Sequence, residues 1–220
     1  MPGWSVQLAQ VSAVAVVAVL PGCLGASAAA AAPAAPKCSS PLAPVAPVAE
    51  APWPQERYAP ERLTPLATGA GVTVAVIDSG VDTDHVQLKG RVREGYDYLD
   101  AGGTGTRDCA GHGTGVASII AATPRSGIEF RGLAPAAKIL PVRVSEQQAI
   151  DGKAAGRKVG PDAFGQAIRW AVDHDANVLN LSVVLYEDDP AVREAVAYAI
   201  KKDVVVVAAV GNFHQKGDPR

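Results

Sequence analysis

Beyond Ser182 the chain contains no serine, threonine or cysteine, which excludes a hydroxyl or thiol nucleophile from its entire last segment. Aromatic residues make up only 5% of the 220 residues and the net charge is −2. There is neither a basic field for a phosphate backbone nor an aromatic platform for bases, and nucleic acid is set aside as a partner. No internal period recurs, which removes solenoid architectures. Lys and Arg are absent from Met1 to Gln10, so the apolar run Val11 to Leu20 lacks the positive flank of a typical leader. That run is also too short to span a bilayer of about 30 Å as an ordinary helix. Followed by Pro21-Gly22-Cys23 and the small residues Ala26 to Ala30, it still reads as a secretory signal over 1–30 and predicts export. A lipid anchor on Cys23 fits less well, because a proline stands two residues before the cysteine.

Cysteine is scarce as well, with three in all. Removal of the leader leaves Cys38 and Cys109, an even pair in an oxidising compartment, and a bridge between them is expected. Two free thiols are the alternative if the chain stays in a reducing one.

What is present begins with a tether. Ala28 to Pro54 is mostly Ala, Pro and Val, a composition that favours an extended linker or wrapping arm with polyproline character. The usable core starts near Val72. Val72 to Ile77, Lys138 to Val144, Asn177 to Val184 and Val204 to Ala209 are near-continuous apolar runs, the pattern of parallel strands buried on both faces. Between them Phe164, Ile168 and Val172 share one helical face, as do Val192, Ala195, Val196 and Ala199. Pro161 and Pro190 stand where a helix can begin. The alternation predicts an α/β fold with a mostly parallel central sheet covered by right-handed crossovers. In such sheets ligands gather beyond the carboxyl ends of the strands, where both Asp78 and Asn212 fall.

Those two residues and one histidine carry the chemistry. An aspartate ending a buried strand can accept a hydrogen bond from one imidazole nitrogen and stabilise the imidazolium; more plainly, Asp78-Ser79-Gly80 is ordinary turn chemistry. His112 sits among glycines at the predicted start of a helix over Thr114 to Ile120. A helix N-terminus disfavours an imidazolium, so a base there needs an anionic neighbour, which Asp78 could supply. Asn212, on the turn after the last strand, could donate its amide to a developing oxyanion or simply terminate the strand. Other sets are weaker. Asp78, Asp82, Asp84 and His85 alternate as hard-cation ligands do, but lack the glycine and distal glutamate of a calcium loop. Gly69-Ala-Gly71 precedes its strand, whereas a dinucleotide fingerprint follows one. His174 reads as part of a solvated helix end and His214 as part of a polar loop. The acidic run Glu187 to Asp189 precedes a helix, where it complements the dipole.

Asp78 in Val-Ile-Asp-Ser-Gly-Val, His112 in Gly-His-Gly-Thr-Gly-Val-Ala and Asn212 in Ala-Ala-Val-Gly-Asn together resemble the aspartate, histidine and oxyanion motifs of the subtilisin-like serine peptidases, in that family's chain order. Leu133 to Lys138 and Asn180-Leu181-Ser182 resemble its core-strand entry and its substrate-binding strand, which makes Asn180 and Ser182 expected substrate contacts. The resemblance covers about Gly69 to Asn212 and implies the three-layer subtilisin-like fold. Pro52 to Tyr58, Pro60 to Arg62 and Thr64 to Leu66 resemble the N-terminal extension of the mycosin subfamily, as Asp108-Cys109 does its disulfide-bound loop. That implies a Cys38–Cys109 bridge, a peptide or protein substrate, association with type VII secretion machinery, and a location outside the cell membrane or in the medium. No cofactor or metal is implied. The expected organisation is therefore a signal peptide over 1–30, an Ala/Pro-rich extension over 31–68 and the N-terminal part of a peptidase domain over 69–220.

Two departures shape the expectation of activity. Ser182-Val183-Val184 replaces the Ser-Leu-Gly-Gly of many relatives, so subsite shape does not carry over. The family's Gly-Thr-Ser nucleophile and the subfamily's C-terminal anchor helix fall beyond Arg220. The C-terminal part of the fold is then expected to be missing, the 220 residues alone are expected to be inactive, and membrane association is expected only of a longer form. Ser79 or Ser182 would otherwise have to serve as nucleophile. A non-catalytic scaffold or binding component of a secretion assembly is the alternative reading.

Overall fold

The run of β-branched residues after Gly71 forms the centre of the molecule. A computed structural model describes residues 46–150, 153–185 and 188–211, and in it β1 (Thr73–Asp78) is buried along its whole length. It lies between β3 (Lys138–Arg143) and β6 (Val178–Leu181), with β2 (Tyr96–Asp97) outside β3 and β7 (Val205–Ala208) outside β6. Every neighbouring pair in this five-stranded sheet is parallel. Parallel strands need covering on both faces, and β1 is covered in full, whereas β6 carries Asn180 at a half-buried position and β7 is largely exposed rather than buried on both faces.

Successive side chains of β1 point to opposite faces and enter two separate cores. Val74 and Val76 pack with Val81, Leu88, Ala117, Ala121 and Ile139 on the side of α3 (His112–Ala121). Ala75 and Ile77 pack with Leu140, Val142, Phe164, Ile168 and Leu179 on the side of α4 (Pro161–Asp173) and α5 (Pro190–Lys201). The result is three layers: helix, sheet, helices. Both proline-led helices begin as expected, and Asp189 caps α5 by accepting from the amides of Ala191 at 2.9 Å and Val192 at 3.4 Å. The acidic run before α5 therefore contributes a specific cap in addition to its charge.

Several boundaries differ from expectation. The sixth strand stops at Leu181 rather than Val184, because the chain leaves the sheet at Ser182. The tether does not stay extended to Pro54: Trp53–Tyr58 forms a short helix, α1, with Pro54 in its first turn, where a missing N–H leaves no bond unmade. A second turn of helix, α2 (Pro60–Leu63), follows Ala59, which adopts a left-handed φ of 43°. This arm is fastened to the domain by Glu129 N–H to Val48 O at 2.8 Å, Arg131 N–H to Gln55 Oε1 at 3.2 Å and Ala136 N–H to Thr68 O at 2.9 Å. The sequence pattern also carries no sign of the two-residue β2 or of the antiparallel hairpin of β4 (Gln148–Ile150) and β5 (Lys153–Ala155). Among the described residues, β7 ends the sheet, with Val205 and Val207 exposed, and no helix is long and apolar enough to cross a membrane.

Candidate active site

Asp78 closes β1 at the carboxyl edge of the sheet, with Arg143 of β3 as its register partner, and its side chain is buried. α3 begins at His112, directly above it. Close approach of the two elements depends on glycine: a Cβ at Gly113 would lie 2.1 Å from the Gly80 carbonyl oxygen and 3.2 Å from Asp78 Cβ. Gly80 itself has a φ of 97°, and a Cβ there would meet the Arg107 carbonyl oxygen at 2.0 Å. Small residues around the histidine thus let a helix end dock on a strand end.

The docking brings His112 Nδ1 to 2.8 Å from Asp78 Oδ1 and 2.9 Å from Oδ2. A carboxylate only accepts, so Nδ1 carries the proton and donates, leaving the Nε2 lone pair as the basic end of the ring. The Ser79 amide donates to Asp78 Oδ1 at 2.7 Å and steadies the carboxylate. Only 3% of the Asp78 side chain is exposed against 57% of the His112 side chain, so the orienting anion is sheltered while the ring is open to a reacting group. The hydrogen bond that His112 donates to Asp78 raises the imidazole pKa above its ordinary value, partial burial opposes the rise, and the charges of Asp78 and then Asp108 add to it.

Both nearby serines are hydrogen-bonded to other side chains. Ser79 is buried, donates its Oγ hydrogen to Asp108 Oδ1 at 2.9 Å and accepts from the Gly113 amide at 2.9 Å. Ser182 donates to Asn180 Oδ1 at 2.8 Å. Asn180 lies inside β6, paired with Val76 and Val207, and Ser182 leaves the strand one residue beyond the Ile77–Leu181 pair, level with Asp78. The structure thus brings Asp78 and His112 together and places Asn180 and Ser182 on the adjoining strand end. Asn212 lies outside the described residues. So does Cys38; Cys109 is disulfide-bonded.

Asp82 and Asp84 are engaged in local structure. The Asp84 amide donates to Asp82 Oδ1 at 2.9 Å in a local turn, and the Asp82 amide donates to Thr114 Oγ1 at 2.9 Å. Among the described residues no group of three or more His, Cys, Asp or Glu is placed to hold a metal ion. His174 stacks on Trp170 with ring centroids 3.8 Å apart, and His214 lies outside the described residues.

Two residues to which sequence reasoning assigned no role at the site stand beside it. Asp108, fully buried, collects hydrogen bonds from both sides of the Asp78–His112 contact. Arg143, also fully buried, binds Asp97 at 2.7 Å, Asp100 at 3.1 Å and Glu146 at 3.1 Å, and Arg157 bridges Asp100 and Glu146 from outside. Asp108 had one sequence signal, an acidic residue just before a helix start. Arg143 had none, since it ends an apolar strand.

The chain matches the subtilase family, peptidase S8, over residues 69–220. It is 36% identical over 159 residues to thermitase of Thermoactinomyces vulgaris, covering 72% of this chain and 53% of that protein. It is 41% identical over 157 residues to mycosin-4 of Mycobacterium tuberculosis, covering 67% and 34%. Among solved structures, that of MycP1, a serine protease described as an essential component of the type VII (ESX-1) secretion system, superposes with a TM-score of 0.63 at 33% identity, covering 81% of this chain and 52% of that one. The chain therefore spans about half or less of the length of these relatives.

Proposed function

The chain belongs to the subtilase family, with mycosins among its relatives, and on that premise we propose that it supplies the aspartate–histidine half of a serine endopeptidase site that works alongside a type VII secretion machinery. The observation that carries the reading is the double contact of His112 Nδ1 with a buried Asp78 carboxylate, with Nε2 left basic on an exposed ring.

In this reading Nε2 takes the proton of a serine hydroxyl as that oxygen attacks a peptide carbonyl. Asp78 stabilises the imidazolium so formed and keeps the ring from turning. The same proton passes to the leaving amine, and a water molecule repeats the sequence to release the acyl group. Asn212 would donate to the oxyanion, and the strand end at Asn180 and Ser182 would line the substrate. Because Ser79 and Ser182 are committed to other partners, the nucleophile comes from neither, and the 220 residues alone do not hydrolyse peptides. The secretory signal over 1–30, export to the outer side of the membrane and the Cys38–Cys109 bridge belong to the same proposal. The disulfide-bonded state of Cys109 and the fastening of the N-terminal arm support it.

The test is reaction with a serine-directed fluorophosphonate. The 220-residue chain is expected to remain unlabelled. A chimera joining it to the remaining half of MycP1 is expected to label, and to lose peptide cleavage by on the order of 10⁴-fold or more on H112A. Labelling of the 220-residue chain would assign the nucleophile to a serine within it. A folded chimera that neither labels nor cleaves would leave the dyad without the proposed use and favour a scaffold role.

A further inference from the structure

We propose that Asp108 is a positioning residue for the Asp78–His112 pair, its buried carboxylate clamping the start of α3 to the end of β1 so that the imidazole is held against Asp78. The inference rests on the reading of that pair as the working groups, and its own readout requires no substrate.

Asp108 is fully buried and its two oxygens face different tasks. Oδ1 accepts from Ser79 Oγ at 2.9 Å, from the Ala110 amide at 3.1 Å and from the Gly111 amide at 2.8 Å. Oδ2 accepts from the Thr114 amide at 2.9 Å and from Thr114 Oγ1 at 2.6 Å. Five donors converge on one anion, a saturation typical of an ionised carboxylate, which can only accept. The partners are the residue after Asp78, the two residues before His112 and the second residue after it. Gly111, the N-cap of α3, has no side chain to cap with. Asp108 thus satisfies Thr114 N–H, one of the orphan amides at the helix start, while Ser79, itself bonded to Asp108, satisfies Gly113 N–H.

The consequence for the histidine is geometric first. His112 lies between Gly111 and Gly113, which give its backbone no steric guidance of their own, and its ring is more than half exposed. Without the clamp only the Asp78 bond itself would hold the ring. With it, the strand end and the helix start form one hydrogen-bonded unit through Ser79, Asp108, Thr114 and Gly113. The second consequence is electrostatic. The charges of Asp78 and Asp108 both favour the protonated form of the ring.

The experiment is histidine NMR on the full chain and on D108N, following the titration of the His112 ring and the low-field Nδ1–H resonance of its bond to Asp78. Expected for folded D108N are a titration displaced to lower pH and loss or broadening of the Nδ1–H signal. A folded D108N with both unchanged overturns the proposal and leaves Asp108 a helix cap only. S79A keeps the charge and removes the hydroxyl that links Asp108 to Gly113, so it decides the matter if D108N does not fold. Nδ1–H exchange with solvent is then expected to become several-fold faster, and an unchanged rate overturns the clamp. A failed fluorophosphonate test would count against the peptidase reading and leave these measurements intact; the converse also holds.

Discussion

Two hydrogen bonds from Nδ1 to the same carboxylate commit His112 to one tautomer, and the energetic sign of that commitment can be measured. The folded-state pKa of the ring is raised, mainly by the bond to Asp78, relative to an unfolded value of about 6.5. The folded state therefore holds the proton more tightly than the unfolded chain. The stabilisation is complete below the unfolded value and is lost as pH rises through the folded one. The stability gap between parent and H112A, from urea unfolding, is expected to be larger at about pH 5.5 than at about pH 8.5. A gap that widens with pH would mean that the ring is held as the neutral base instead. At this scale Asp78 and His112 were legible in the sequence because each sits in a short phrase of small residues at an element boundary. The role of Asp108 was not, because its partners lie both a few residues away and 29 positions back, in the turn after β1.

Elements were legible in proportion to their length and periodicity. β1, β3, β6 and β7 are four to six residues long and mostly apolar, and α4 and α5 repeat their apolar positions over three turns. β2, β4 and β5 have two or three residues each, too few for a period to show, and their pairing is decided by neighbours. Helix starts carry a clear chemical mark, and α5 offers the cleanest test. Asp189→Ala removes the acceptor for two amides at the α5 N-terminus and is expected to cost about 1 kcal/mol, read as a lower urea midpoint with an unchanged slope. No loss would show that the Pro190 start and the packing of Ala195 and Ala199 hold α5 without the cap.

Across the whole molecule the least predictable feature is a charge at the edge of the core. Arg143 ends β3 between Asp78 of β1 and Asp97 of β2, fully buried, and with Asp97, Asp100, Glu146 and Arg157 it ties together the sheet, the loop leading to Cys109 and the segment entering the β4–β5 hairpin. Arg107 joins from outside through Asp100. Hydrogen bonds from Arg157 and then Arg143, with the charge of Arg107 added, hold the exposed Asp100 carboxyl well below the usual carboxylate range, while the inner pair with Asp97 is sealed from solvent. Arg143→Ala would leave Asp97 buried without its partner and is expected to destabilise the fold by about 3 to 5 kcal/mol. Equilibrium unfolding measures this, and the effect should change little with added salt, because buried pairs are poorly screened. A loss that vanishes in high salt would place the strength of the network in its exposed arginines.

The sequence by itself determined the order and kind of the main elements, the alternation of two apolar cores across β1, and the positions of an aspartate at a strand end and a histidine at a helix start. These are local properties, written in periods of two and of about 3.6 residues and in turn chemistry. Only the tertiary structure decided that Nδ1 meets Asp78, that Ser79 and Ser182 are spent on Asp108 and Asn180, and that one buried carboxylate holds the pair in place. The contact between Asp78 and His112 spans 34 positions. It exists because the packing of Gly113 against Gly80 sets the distance between a helix and a strand, and no local pattern encodes that distance.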